Sequence, residues 1–256
     1  MNLDKIIAVR NEKTVYRDGD RCLKVFGAGY SKADVLSEAT NQARIEEAGI
    51  NVPRVLEVTS IDGKWTIISD YIKGKTLARL AQENPEKKDE YIEALVEVQH
   101  EIQSKKCCLL RKLSDKLSDK LELADVPATV RYSMLARLAE MPHHSKICHG
   151  DLTLSNIIAA DNGKYYVLDW AHAAQGNASA DAAQTYFRFC IDGSFDDAEK
   201  YLELFCEKSG TEKQYVKKWM PIIATAQSVN GNARERDFLR PLINETNNQI
   251  QEENNK

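Results

Sequence analysis

The sequence predicts an α+β protein in two parts, a small antiparallel β-sheet with one helix followed by a mainly helical region. Two observations carry that reading. Up to about residue 72 the chain runs in short β-prone stretches broken by Asp-Gly turns, and beyond Gly74 its apolar residues recur every three or four positions. At 256 residues, with 43% hydrophobic and 29% charged side chains, the chain can bury about 70 to 75% of its unfolded surface without disulfide or metal staples.

Taken in order, Ile6 to Val9, Thr14 to Arg17 and Arg21 to Phe26 are the first strands, and Asp18-Gly19-Asp20 turns the second into the third. Ser31 or Asp34 caps a helix in which Val35, Ala39 and Ala43 repeat every fourth residue, and Gly49 supplies its left-handed stop. Val52 to Val58 and Lys64 to Tyr71 follow as a hairpin through Asp62-Gly63, giving the order β-β-β-α-β-β. The helical part begins with a long helix from about Glu86 to Lys106, faced by Ile92, Leu95, Val96, Gln99 and Ile102. Leu109, Leu113, Leu117 and Leu121 read as the apolar stripe of an amphipathic surface helix. A helix from Pro127 to Met141 comes next, then a hairpin of Asn156 to Ala159 and Tyr165 to Leu168 around Asp161-Asn162-Gly163. Helices resume at Ala180 and end in a polar tail, Asn244 to Lys256, expected to fray.

Charge narrows the function classes. With 35 basic against 39 acidic residues and a net charge of -4, the chain lacks the basic surplus or stripe that phosphate-backbone binding requires, which argues against a nucleic-acid partner. No apolar run approaches a membrane span, and Asp4, Lys5 and Arg10 interrupt what would be a signal peptide's core, so no membrane partner is expected. Six cysteines without a C-x-x-C pair indicate a reduced, cytoplasmic protein.

The chemistry-bearing stretch is Ile147-Cys148-His149-Gly150-Asp151-Leu152-Thr153-Leu154-Ser155-Asn156, followed by a strand ending in Val167-Leu168-Asp169-Trp170. Asp151, Asn156 and Asp169 thus flank one hairpin. Phosphoryl transfer from a nucleotide needs such a set, because the phosphate oxygens must be neutralised by Mg²⁺ and the attacking hydroxyl aimed in line. Magnesium takes few hard oxygen ligands from protein, so one carboxylate and one amide oxygen suffice.

The spacing H-x-D-x-x-x-x-N with a second Asp after the next strand resembles the catalytic pattern of protein kinase-like enzymes, and His149-Gly150-Asp151 is similar to the form found in aminoglycoside and choline phosphotransferases. Leu23-Lys24-Val25, Ser37-Glu38-Ala39, Gly49 to Leu56 and Ser69 to Leu77 look like that family's lysine strand, its glutamate helix, the entry to its fourth strand and its hinge. The resemblance runs from about residue 7 to residue 185. It implies a two-lobed protein kinase-like fold, with residues 1–72 as nucleotide-binding lobe and 73–256 as catalytic and acceptor-binding lobe. By the same resemblance Asp151 would be the base or orienter of the substrate hydroxyl, Asn156 and Asp169 the Mg²⁺ ligands, and Lys24 the phosphate clamp paired with Glu38. The backbone at Ser69 and Tyr71 would hold adenine, Asp181 would brace the catalytic loop, and His149 would be structural. ATP would be the co-substrate, with GTP admissible. The loop Arg10-Asn11-Glu12-Lys13 lacks the glycines that cover the phosphates in protein kinases, and no A-P-E follows Asp169, which disfavours a protein substrate.

The expected activity is therefore ATP-dependent phosphorylation of a small-molecule hydroxyl, on an aminoglycoside, choline, ethanolamine or similar amine-bearing acceptor. A catalytically silent nucleotide-binding regulatory module is the alternative, and the joint presence of Asp151, Asn156 and Asp169 argues against it. A metallophosphoesterase fails because five histidines at these spacings cannot build a two-metal site. Residues 181–256 carry 13 acidic and 10 basic side chains, a slight excess that permits a cationic acceptor. Trp170, Tyr186, Phe187, Phe189 and Trp219 read either as core or as an aromatic cage for a quaternary ammonium.

Overall fold

The computed structural model describes residues 5–10, 12–229 and 233–254. The chain opens with β1 (Lys5–Arg10), β2 (Lys13–Asp18), β3 (Arg21–Phe26), α1 (Lys32–Glu47), β4 (Val55–Ile61), β5 (Lys64–Asp70), β6 (Gly74–Thr76) and α2 (Leu77–Glu83). It continues with α3 (Lys88–Ser104), α4 (Leu113–Leu123), α5 (Ala128–Glu140), β7 (Lys146–Cys148), β8 (Ile157–Ala160), β9 (Tyr165–Val167) and β10 (Ala174–Gly176). Four helices close it, α6 (Ala178–Ile191), α7 (Phe195–Ser209), α8 (Lys213–Gln227) and α9 (Ala233–Asn254). Two compact units result: residues up to Tyr91 together with Thr153–Ala173, and Ile92–Leu152 together with the residues from Ala174 on.

In the first unit an antiparallel sheet runs in the order β1-β2-β3-β5-β4. The β4–β5 hairpin closes through Asp62 and Gly63, both at positive φ (49° and 75°), the mirror-image turn whose twist matches that of the strands. Ser31 and Asp34 cap α1 reciprocally, satisfying two amides that the helix start leaves orphaned. Val35 and Ala39 of that helix pack with Phe26 and Ile67 of the sheet. Positions 35, 38, 39 and 42 share one helical face, so the register that buries Val35 and Ala39 also turns Glu38 inward, where it is 4% exposed.

A second, three-stranded sheet in the same unit has the order β6-β8-β9. Gly74 opens β6 at φ 152°, and a Cβ there would stand 2.3 Å from the Ala159 carbonyl oxygen. Only glycine lets these backbones close. Main-chain bonds from Leu168 N–H to Asn156 O (2.8 Å) and from Val167 N–H to Asn51 O (2.9 Å) fix the open end of the β8–β9 hairpin, and Ala160 N–H to Lys164 O (2.9 Å) closes its turn.

The second unit is helical apart from the short β7–β10 pair. Ala180, Ala182 and Ala183 are fully buried on α6, which packs on α7 and α8, and their small side chains permit that approach. Leu113, Leu117 and Leu121 form the buried stripe of α4 as the spacing predicts, but Leu109 precedes the helix and is exposed. The polar tail also departs from expectation, since α9 stays helical to Asn254. Among the described residues no helix is long and apolar enough to cross a membrane.

Candidate active site

Strand alternation puts Leu23 and Val25 of β3 on one face of the sheet and Lys24 on the other, the face on which Phe26 and Ile67 meet α1. There its Nζ bonds Glu38 Oε1 and lies 3.0 Å from Asp169 Oδ1. Lys13 Nζ reaches the other Glu38 oxygen at 3.1 Å. Two ammonium groups thus face two carboxylates in a partly desolvated place, where removing one partner is costly. Burial alone would lower the Lys24 pKa, but the Asp169 and Glu38 carboxylates outweigh it and hold the pKa above its ordinary value.

Asp169 ends the β9 segment in the left-handed region, at φ 63° and ψ 65°. This conformation costs a non-glycine residue about 1 to 3 kcal/mol and is concentrated at functional sites. Asn156, buried at the end of a single 3-10 turn, is held by the backbone bond to Leu168 next door. Lys13, Lys24, Glu38, Asn156 and Asp169 line one cavity of about 320 Å³, whose remaining wall includes Ala8, Val15, Ile67, Ile72 and Leu168. A volume of this size with a few convergent polar groups is typical of small-ligand sites. The donor set, one amide oxygen and one carboxylate, fits a hard divalent cation that keeps waters and phosphate oxygens as its other ligands.

Ser69 and Tyr71 lie on the same cavity wall. Ser69 is locked into the sheet opposite Cys22 and Val55. The Tyr71 amide is already used, donating to Asp20 O at 2.9 Å, and its ring lies under the Arg17 guanidinium at 4.1 Å. Among the described residues the next amide, that of Ile72, makes no hydrogen bond.

In the second unit, Asp151 follows a buried histidine and a glycine at φ 83°. Asp181, fully buried on α6, accepts the Gly150 N–H at 2.8 Å, Gln99 Nε2 at 3.0 Å and Gln103 Nε2 at 3.2 Å. His149 Nδ1 accepts the Asp151 N–H at 3.2 Å, a structural task. Arg188, from the same helix as Asp181, places Nε 2.6 Å from Asp151 Oδ1, and its Nη1 pairs with Glu235 of α9. Burial would lower the Arg188 pKa, but the two carboxylates raise it, so the guanidinium stays charged.

Sequence reasoning passed over Lys13, Arg188 and Glu235. Arg188 carried a signal, being the one basic residue within a helix that is otherwise almost entirely buried. The aromatic cage is contradicted. Trp170, Phe187, Phe189 and Trp219 are buried as core, Trp170 Nε1 bonds the Val167 carbonyl, and Tyr186 O–H donates to Glu199 at 2.7 Å. Phe189 spends its face on Tyr201, at 5.7 Å between ring centres.

The first unit thus holds a cavity with a clamped lysine and an Asn/Asp oxygen pair, and the second unit holds a braced aspartate. Residues 7–215 match the model of the phosphotransferase enzyme family, and the chain belongs to that family. No curated protein sequence matches it. Solved structures share its fold. A choline/ethanolamine kinase family protein from Mesorhizobium loti is 16% identical at a TM-score of 0.63, over 96% of this chain and 87% of that one. The choline kinase LicA from Streptococcus pneumoniae is 14% identical at 0.65, over 97% and 94%. A thermostable mutant of an aminoglycoside phosphotransferase, solved as a ternary complex with ADP and hygromycin B, is 18% identical at 0.62, over 92% of each chain. The fold is the protein kinase-like one that the sequence motifs imply.

Proposed function

We propose that this protein transfers the γ-phosphoryl group of ATP to a hydroxyl of a small molecule. The observation that carries the reading is the Lys24 ammonium held between Glu38 and Asp169, in the cavity that Asn156 also lines. Lys24 binds phosphate oxygens, and Glu38 holds that lysine in place. The Ile72 amide, with no other partner among the described residues, offers a donor to the base. Mg²⁺, bound through Asn156 and Asp169, would supply neutralisation of the phosphate oxygens.

Asp151 accepts the proton of the acceptor hydroxyl as its oxygen bonds to the γ-phosphorus and the bond to the departing ADP oxygen breaks. General-base assistance of this kind contributes about 10² to 10⁴ in rate. Arg188 fixes the carboxylate that does this, and the Asp181 bonds fix the backbone that carries it.

For the acceptor we propose a hydroxylated amine, supported by the slight acidic excess of residues 181–256 and by similarity to choline and aminoglycoside phosphotransferases. A hydroxy acid is the second reading, favoured by Arg188 against Asp151 and by Lys120, whose charge is felt at both. ADP release measured across hydroxylated amines, hydroxy acids, neutral sugars and peptides tests both. The proposal expects turnover above the water background with amines and none with peptides. Turnover with hydroxy acids alone would move the acceptor to the second reading, and turnover with peptides alone would reject a small-molecule acceptor.

A further inference from the structure

We propose that Lys13 is a second polyphosphate-binding cation of the cavity, contributing positive charge from the start of β2, beside a first hairpin whose sequence has no glycine. The inference rests on the reading of the cavity as an ATP site.

The frame that positions Lys13 is built into the sequence. Lys13 pairs with Phe26 across the β2–β3 ladder and with Arg10 across β1–β2. Immediately before it, the Glu12 carbonyl accepts the Gly27 N–H at 2.8 Å. A Cβ on residue 27 would stand 2.8 Å from that same oxygen, closer than real contacts allow, so the glycine is what permits the bond. Glu12 itself sits at φ 61°. The hairpin end is therefore pinned to the loop that follows β3, and the Lys13 backbone with it.

Its side chain is directed as firmly. Nζ lies over the Phe26 ring at 5.1 Å and near the Tyr30 ring at 5.0 Å, besides its 3.1 Å contact with Glu38 Oε2. The side chain is only 13% exposed, which a long ammonium stem tolerates only with its charge compensated. Among the described lining residues Lys13 and Lys24 are the only lysines or arginines.

A purely structural Lys13, present only to neutralise Glu38, would be redundant, because Lys24 already pairs with Glu38 and with Asp169. With one lysine the four-group set would be net negative and repel a polyanion. Lys13 brings these four groups to neutrality, and the third lining carboxylate, Asp70, is paired with Arg54, so that arriving phosphates meet less like charge. An ammonium has three donors, so Lys13 can keep Glu38 and still donate to a phosphate oxygen.

The contact is with charge, so its contribution grows with the number of phosphates. Full-length wild type, Lys13→Met and Lys24→Met are titrated calorimetrically with Mg·ATP, Mg·ADP and adenosine, and wild-type ATP binding is repeated at raised salt. Lys13→Gln, which keeps a donor for Glu38 without the charge, guards against a folding defect in the methionine variant. The expected result is a roughly tenfold loss of ATP affinity in both Lys13 variants, a smaller loss for ADP, and adenosine binding within about twofold of wild type. Equal losses for ATP and adenosine, or unchanged ATP affinity in Lys13→Gln while Lys24→Met is impaired, would overturn the role of Lys13 and leave the ATP reading standing. Wild type that binds none of the three ligands would overturn that reading and Lys13 with it.

Discussion

Asp181→Asn changes one atom in the brace beneath the catalytic loop, and the structure sets its cost. The carboxylate receives three donors, Gly150 N–H on Oδ1 and both Gln99 Nε2 and Gln103 Nε2 on Oδ2. Asparagine retains one oxygen. If that oxygen faces Gly150, the new amide meets two glutamine donors head on. Gln99 cannot turn its amide round without giving up the Tyr201 O–H, which its Oε1 accepts at 2.5 Å. If the oxygen instead faces the glutamines, the Gly150 N–H that shapes the loop before Asp151 is lost. Hydrogen bonds to a charged group contribute about 1.5 to 3 kcal/mol each, so losing one or two costs about 3 kcal/mol. For a chain of this size that lowers Tm by about 6 to 12 °C. Thermal unfolding followed by circular dichroism reads the shift, and initial rates below the transition read the activity, which should fall because Asp151 loses its footing. A Tm within about 2 °C of wild type, with unchanged turnover, would refute the argument that Asp181 braces the loop.

Two further outcomes follow from the same geometry. Saturating Mg·ATP, at about 100 times its dissociation constant, should stabilise the wild type by roughly 2.7 kcal/mol, and in Asp169→Ala the difference between Mg²⁺ and chelator arms of a thermal-shift assay should vanish; a preserved difference would place the metal elsewhere. Lys116 should acylate first among the lysines: burial, then Lys120 and Arg111, push its pKa down to about 8, so near pH 8 about half of it is neutral against well under 1% of an ordinary lysine. Peptide mass mapping after a short acylation pulse checks this against exposed Lys64. The sign for stability is equally defined. The unfolded chain holds this proton up to about pH 10.5 and the folded chain only to about 8, so between those values this group's contribution becomes more favourable as pH rises.

Much of the first unit was legible because its punctuation is local. Asp18-Gly19 and Asp62-Gly63 mark two hairpins, Ser31 and Asp34 cap one helix, and β1 to β5 and α1 each begin within a few residues of their sequence signals. The strands β6, β7 and β10 were not legible. Each is three residues long, and each exists through a distant partner, as in Gly74 against Ala160 and Cys148 against Ala174. Periodicity left the aromatic residues open between core and cage, since a helical stripe of rings fits either, and burial decides for the core. In the site, Lys24, Glu38 and Asp169 were singled out by their motifs and are ion-paired in the fold. Lys13 and Arg188 belong to no motif. Their meaning comes from the carboxylates that folding brings to them from 25 and 37 positions away, as the pairs Lys13–Glu38 and Arg188–Asp151 show. That the Tyr71 amide is occupied by Asp20 O was not legible either, because the bond joins residues 51 positions apart.

The central claim is that this chain moves the terminal phosphoryl group of ATP to a small-molecule hydroxyl with Asp151 as the group that takes the proton. The direct measurement is label transfer. Purified wild type and Asp151→Asn are incubated with Mg²⁺, a panel of small hydroxyl compounds and ATP labelled at either the γ- or the α-phosphorus, and the products are separated from nucleotide. The account predicts label in an acceptor product with γ-labelled ATP only, and a rate in Asp151→Asn lower by about 10² or more while nucleotide still binds. Label from the α-position, transfer undiminished in Asp151→Asn, or no transfer to any hydroxyl compound by a wild type that binds ATP would contradict it.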